Sequence, residues 1–283
     1  MRHHYVPQFW LRRFRDSANR LHCREGKALR VVSTGDVMQM EGLYLLFDSR
    51  WQCSEALESS IGRIEAVAAP LFDALDDPSV PLTEDHASHL AHFLALQACR
   101  HPDIINRAYR RGRELAELLA DVHSYSKADF ATRMAEFGVS AVDADSQYEE
   151  LKKRPPEALL GEYEQALSLS PQDSRLPATD ALRALPVIAA LIEPLEMAVV
   201  HAPTGMDFIL GDTPLPQSEL GRGFHVPLSR STAIIASLRG AAKAPITRRQ
   251  ALATEVAIIN QEQWGNALHV AVGPTASLLA SFS

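Results

Sequence analysis

The chain has 283 residues, 46% of them hydrophobic and 22% charged, with a formal net charge of -7. That is ample apolar content for a folded core, and it argues against disordered, collagenous and coiled-coil classes. No uncharged apolar run approaches the roughly 18 residues of a membrane span; the best stretch, 184–200, is broken by Pro186, Glu193, Pro194 and Glu196.

Residues 1–50 come first. Val6-Pro7 predicts an extended start, and Gln8-Phe-Trp-Leu-Arg-Arg-Phe14 a short helix that docks Phe9, Trp10 and Phe14 on the core. The segment 1–15 has no apolar h-region, and Arg12, Arg13 and Arg15 stand where a signal cleavage site would be, so a secretory signal is not expected; with the few, widely spaced cysteines this reads as a cytoplasmic protein. Arg20–Arg24, Leu29–Ser33 and Leu43–Phe47 read as short strands, with turns at Glu25-Gly26 and Gly35-Asp36.

Residues 51–194 read as helical. Leu57, Ile61, Ile64, Ala68, Leu71, Phe72 and Leu75 keep helical spacing over 54–75, with Ser54 as cap and Pro70 as a kink or break. Thr83 caps a helix that runs to about Arg100 and stops at His101-Pro102. Further helices are expected over 103–122, 127–136, 157–168 and 180–192, the last kinked at Pro186. Residues 138–156 are polar and predict a surface excursion.

Residues 195–283 turn β-rich. Strands over 196–202 and 207–211 flank Pro203-Thr-Gly205 and predict a hairpin. Two more β runs cover 224–228 and 233–238, a closing helix runs from Ile246 to about Trp264, and a last strand covers 268–272. The expected architecture is α+β: a helix-rich core with one small, mainly antiparallel sheet joining N-terminal and C-terminal strands. A single domain spanning 1–283 is expected, with 170–180 the place where a division would fall.

Three cysteines, Cys23, Cys53 and Cys99, lack metal-ribbon spacing and predict reduced thiols without a stable disulfide partner. Cys99 is the candidate nucleophile, because Arg100 and His101 follow it. His86, His89 and His92 recur every three residues but do not form HExxH, and read as boundary positions of their helix. P-loop, GxGxxG, GxSxG and EF-hand patterns are absent from the sequence, which argues against kinases, Rossmann oxidoreductases and α/β-hydrolases. Residues 1–30 carry eight Arg/Lys against two acids, and five Arg fall within 99–113. Segregated charge of this kind can focus an anionic small molecule or nucleic acid; the alternative is solvated faces answering nearby acids.

The segment His3-His4-Tyr5-Val6-Pro7-Gln8-Phe9-Trp10-Leu11-Arg12-Arg13-Phe14 resembles the opening motif of a bacterial family known as domain of unknown function 4238. Glu58 and Glu65, after the aromatic run Leu43-Tyr44-Leu45, resemble its paired-glutamate helix. Gln97 and Arg100 resemble its Gln-x-x-Arg before proline, Asp212 its Asp-x-Pro step, and Asn260 its late asparagine. Gly211 and Thr213 depart from the Ser and Asn often found around that aspartate. The resemblance implies a family and a candidate site, and no reaction.

The residue chemistry supplies the rest. His4 suits proton transfer near neutral pH, and Gln8 can orient a water or an amide. His4, Glu65 and Asp212 are the candidate catalytic residues and, together, candidate ligands of Mg or Mn. Gln8, Gln97, Arg100 and Asn260 are the candidate substrate contacts. The leading expectation is a metal-assisted hydrolase of a phosphodiester in nucleic acid or a nucleotide. The alternatives are a non-catalytic anion, nucleotide or nucleic-acid binding module, and a partner-binding protein of a defence or toxin system.

Overall fold

The structure is a computed structural model describing residues 2–44, 46–47, 53–168, 178, 181–238 and 246–282. The candidate division at 170–180 lies outside the described residues apart from Ala178, as does Leu45 of the aromatic run.

The N-terminal part begins with strand β1 (Arg2–His4) and helix α1 (Gln8–Arg12), which drive Trp10, Leu11 and the following Phe14 fully into the core. The Trp10 indole donates to the Pro227 carbonyl at 3.0 Å and packs edge-on against Phe72 and Phe93. Strands β2 (Leu21–Glu25) and β3 (Ala28–Val32) form the hairpin expected from Glu25-Gly26, where Gly26 takes a positive φ of 57°. Strand β4 (Gln39–Glu41) pairs antiparallel with β1, so the N-terminus is sewn onto the 34–44 loop. Two-residue strands β5 (Leu46–Phe47) and β6 (Cys53–Ser54) pair next.

Helix α2 (Ala56–Asp76) runs unbroken through Pro70. The expected break is absent because Ile61, Ala68, Leu71, Phe72 and Leu75 bury one continuous stripe on either side of the proline. Helix α3 (Glu84–Ala98) starts at Thr83, whose hydroxyl accepts from the His86 amide. His86 completes the cap by accepting from the Thr83 amide, and His92 bonds the Ser88 carbonyl, so two of the three spaced histidines serve the helix itself. Pro102 opens helix α4 (Pro102–Ala120), with His101 as its N-cap.

Helix α5 (Lys127–Glu136) lies where expected. The polar stretch after it is not an excursion but helix α6 (Ala141–Lys152), capped by Ser140. Its apolar positions are few but share a face: Ala144, Tyr148 and Leu151 join Val122, Phe130 and Met134 in a separate hydrophobic cluster. Helix α7 (Pro156–Ser168) covers that cluster with Leu159. Helix α8 (Leu185–Ile192) carries Pro186 in its first turn, where a missing N–H costs nothing, and not at a central kink.

Strands β7 (Glu196–His201) and β8 (Leu210–Gly211) were expected to form a hairpin, and they do not: they belong to different sheets. The turn at Gly205 exists, with φ 85°, but it carries the chain from one sheet to the other. Strands β9 (Gly223–Pro227) and β10 (Thr232–Ser237) pair antiparallel as expected. The closing helix is shorter than expected, because 246–250 is strand β11 (Ile246–Gln250), parallel to β7. Arg248 explains that override: its guanidinium donates to the carbonyls of Ala74, Leu75 and Val80, closing the C-terminal end of α2. Helix α9 (Ala253–Asn266), strand β12 (Val270–Gly273) and helix α10 (Ala276–Ala280) complete the described elements.

The sheets number two of four strands and two of two strands among the described residues. One four-stranded sheet runs β11-β7-β10-β9 and is wholly C-terminal; the other runs β3-β2-β12-β8 and does join the two ends of the chain. The single sheet of the expectation is thus divided, while the α+β class and mainly antiparallel pairing hold. The largest core cluster lies where α1, α2 and α3 meet the β7-containing sheet.

Candidate functional site

Arg100 organises the site. It follows α3 and precedes a proline-opened helix, so its side chain is aimed back into the interior, where it is 1% exposed. Burying a guanidinium demands partners for its donors. Nε donates to the Tyr44 hydroxyl at 3.0 Å, Nη1 to Glu65 Oε1 at 2.6 Å, and Nη2 to the His4 carbonyl at 2.6 Å. Gln97, one turn earlier, accepts from Nη1 at 2.9 Å and donates to the Tyr5 carbonyl at 3.1 Å. Burial opposes the charge on Arg100, but Tyr44 and Glu65 outweigh it and hold its pKa above the ordinary value. Burial likewise pushes the Tyr44 phenol up.

Glu58 lies two turns before Glu65 on α2 and interacts with the same arginine. Its Oε2 is buried and has no hydrogen-bond partner among the described residues, and burial raises its pKa against the pull of Arg100.

His4 sits half-buried beside this network. Its Nε2 lies 3.0 Å from the Thr34 carbonyl. A carbonyl only accepts, so Nε2 carries the proton and Nδ1 keeps its lone pair in the neutral ring. Burial lowers the His4 pKa, outweighing the Thr34 bond and the attraction of Glu65, which keeps the ring neutral at pH 7. The charges of Arg100 and Arg12 add to that lowering. Arg12 is exposed and donates to Gln8 Oε1 at 3.1 Å, so Gln8, His4 and Arg12 share one neighbourhood at the surface edge of the network.

Asp212 stands apart. Its two oxygens accept from the amides of Leu268 at 2.8 Å, His269 at 2.9 Å and Val270 at 3.0 Å. His101 Nε2 is 3.5 Å from Oδ2, both side chains being almost fully buried. Burial raises the carboxyl, but His101 and the amides outweigh it and hold its pKa below the ordinary value. Asp212 is therefore a clamp on the start of β12, with its lone pairs taken by the backbone. Among the described residues it is joined to the arginine network through neighbours: His101 packs edge-on to Tyr5 at 4.9 Å, and the Tyr5 carbonyl accepts from Gln97.

Asn260 bonds backbone at both ends of its amide, accepting from the Ile209 amide and donating to the Asp207 carbonyl, each at 2.9 Å. Gln263, one turn on, does the same for Gly211 and Pro214. A Cβ on Gly211 would lie 2.6 Å from the Gln263 carbonyl oxygen, which accounts for glycine before Asp212 in this chain. Asn260 also lines an open groove of about 580 Å³ with Asp207 and Thr275, away from the arginine network.

The structure thus brings His4, Glu65, Gln97 and Arg100 together, with Gln8 at the rim, and separates Asp212 and Asn260 from them. Arg100 was a candidate anion contact; its donors are instead taken by protein groups. Among the described residues no group of three His, Cys, Asp or Glu side chains is arranged to hold a metal ion. Cys99 is buried and its thiol is pushed up to about 11, which opposes a nucleophilic thiolate. The N-terminal basic charge is largely answered internally: Arg2 by Asp36, Arg13 by Asp73 and Asp76, Arg20 by Asp16, Arg30 by Glu25, and Arg24 by the carbonyls of Leu279 and Phe282.

Sequence reasoning passed over Tyr44, Thr34, Arg12 and His101 as site residues. A histidine directly before a helix-opening proline is a visible N-cap candidate, and His101 does accept from the Asp103 amide at 3.1 Å. Thr34 carried no such signal, because its contribution is a backbone carbonyl.

No curated protein and no solved structure matches the chain. The family model described as "Protein of unknown function (DUF4238)" matches residues 2–268. The arginine network lies within that span, and the chain belongs to this family.

Proposed function

We propose that the protein hydrolyses a phosphodiester bond in a nucleotide or nucleic acid, with His4 as general base. The observation that carries this reading is the pinned tautomer of His4: Nε2 is spent on Thr34, leaving the lone pair on Nδ1 of a neutral ring that lies within the influence of the Glu65 and Arg12 charges. Nδ1 would accept the proton of the water as its oxygen bonds to phosphorus; the P–O bond to one ester oxygen breaks, and that departing oxygen takes a proton from solvent while the imidazolium returns its own to bulk water. Arg12, exposed and held by Gln8, is the group suited to contact a phosphate oxygen. Arg100, Glu65 and Gln97 are positioning residues in this reading, because they fix the backbone of His4 and Tyr5. Asp212 takes no part in the chemistry in this reading, its oxygens being held by the amides of residues 268–270.

The test incubates the purified protein with single-stranded RNA, duplex DNA and a chromogenic aryl phosphodiester, each with chelator, Mg²⁺ or Mn²⁺. Cleavage that His4→Ala reduces by roughly 10²-fold or more supports the reading. Its rate should rise with pH through a His4 pKa below 6.5 and then level, because only the neutral ring accepts a proton. Absence of cleavage in every arm, or cleavage indifferent to His4→Ala, removes it.

The saturation of Arg100 and Asp212 favours a second reading, binding without turnover at the same edge. It predicts that a nucleotide raises the melting temperature, that Arg12→Ala abolishes the rise, and that the nucleotide is recovered unchanged.

A further inference from the structure

Helix α4 carries a charged stripe far from the His4 network in sequence. Arg107, Arg110, Glu114, Glu117 and Asp121, spaced by alternating three and four residues, are all exposed. That spacing keeps successive side chains on one helix face. The charges run from basic to acidic toward the C-terminus. A helix standing alone disfavours this order, because its N-terminal end is already positive and its C-terminal end negative. Arg110 before Glu114 is also the weaker direction for an intrahelical pair.

The neighbouring arginines are occupied: Arg111 donates to the Glu136 carbonyl, and Arg113 pairs with Glu117 at 3.3 Å. No described residue forms an ion pair with Arg107 or Arg110, whose side chains project outward. Beside the acidic half lies an open groove of about 460 Å³ between the end of α4 and α7. Ala120, Pro156 and Leu160 give it an apolar floor, and Glu117, Asp121 and Glu157 give it acid; none of its lining residues is Lys or Arg. Leu160 is 51% exposed there.

We propose that this face is a homodimer surface whose occupant is a second copy of the same chain. Two α4 helices crossing antiparallel about a two-fold axis place Arg107 of one copy over Glu117 of the other, and Arg110 over Glu114. A single register satisfies both pairs, and the two-fold repeats them, giving four ion pairs from a self-complementary stripe, with Glu117 holding Arg113 and Tyr163 of its own chain through Oε1 and offering its other oxygen to Arg107 of the second copy. The arginine stems lie along the groove floor beside Leu160, an arrangement suited to long side chains with a charged tip. The opposed macrodipoles of the crossed helices then favour the charge order that one helix alone disfavours. Exposed ion pairs contribute little singly, so the association is weak and sensitive to salt.

Sedimentation velocity of the full chain over a concentration series, at low and high ionic strength, tests this. The expected result is a dimer at low salt that dissociates at high salt. The double variants R107E/R110E and E114R/E117R should each be monomeric. An equimolar mixture of the two should form a heterodimer, because each reversed half then meets its complement. If circular dichroism shows that E114R/E117R fails to fold, since Glu117 also accepts from the Tyr163 hydroxyl, the single reversals R110E and E114R replace the doubles: each sets like charges at both 110–114 positions and weakens the dimer, and their mixture restores all four pairs. A wild-type chain that stays monomeric throughout, a dimer that the reversals leave intact, or folded variants that do not combine would each overturn the proposal. Capture of a basic peptide by a monomeric chain would count with the first of these.

Discussion

At the residue scale, one buried cation decides how the candidate site is built. Arg100 has no water to turn to, so Tyr44, Glu65, Gln97 and the His4 carbonyl must all be present for it to remain charged and buried. Arg100→Met removes the charge but strands the partners, and should destabilise the fold by about 3 kcal/mol or more in chemical denaturation. Arg100→Lys should recover little, because one ammonium cannot span the directions that the planar guanidinium reaches. Glu58 behaves in the opposite sense. Its folded pKa is raised above the ordinary 4.5, so its contribution is fully present below that value and is lost as pH rises through the folded pKa. Glu58→Gln should therefore raise the melting temperature at pH 7 by about 2 °C and flatten its decline from acid to neutral pH. A melting temperature lowered at pH 7 would show that the Glu58 charge is used by the fold.

At the element scale, the ends of secondary structure are held by side chains from distant parts of the chain. Asp212 gathers three consecutive amides at the start of β12, and Arg248 gathers the carbonyls that α2 leaves open. Asp212→Ala should cost about 3 kcal/mol and, in hydrogen exchange, unprotect residues 268–270 before the rest of the sheet. If the amides of 268–270 stayed as protected as in the wild type, the clamp would be wrong. These couplings also explain which elements were legible. Periodicity alone marks α2, α5 and the β9–β10 hairpin, because each has a strong local pattern. It misses α6, whose apolar stripe is only Ala144, Tyr148 and Leu151, and it misreads 246–250, whose strand state depends on β7 and on the open end of α2. Arg100 and Asp212 could be singled out from their motifs, but whether their hydrogen-bonding capacity was free or spent could not.

At the scale of the whole molecule, pH dependence sums groups of opposite sense. Asp212 is depressed below 3.8, so its contribution is present above that value and lost as pH falls through its lower folded pKa. His4 is depressed below 6.5, and its contribution likewise falls away as pH drops through its folded pKa. Glu58 opposes both in the weakly acid range. A melting-temperature profile of the wild type should therefore fall toward acid, and His4→Gln should remove the part of that fall lying just below 6.5. An unchanged profile in His4→Gln would detach His4 from the acid limb. The amino-acid sequence by itself determined the family, the α+β class, the long helices and the identities of the polar residues, because motifs and hydrophobic period are local properties of the chain. Only the tertiary structure decided that the larger strands divide into two four-stranded sheets, that Arg100 and Asp212 are saturated while His4 Nδ1 meets no partner among the described residues, and that α4 turns a charge-ordered face outward. Those outcomes depend on which backbone groups residues far apart in sequence bring within about 3 Å of one another, and no pattern along the chain encodes that distance directly.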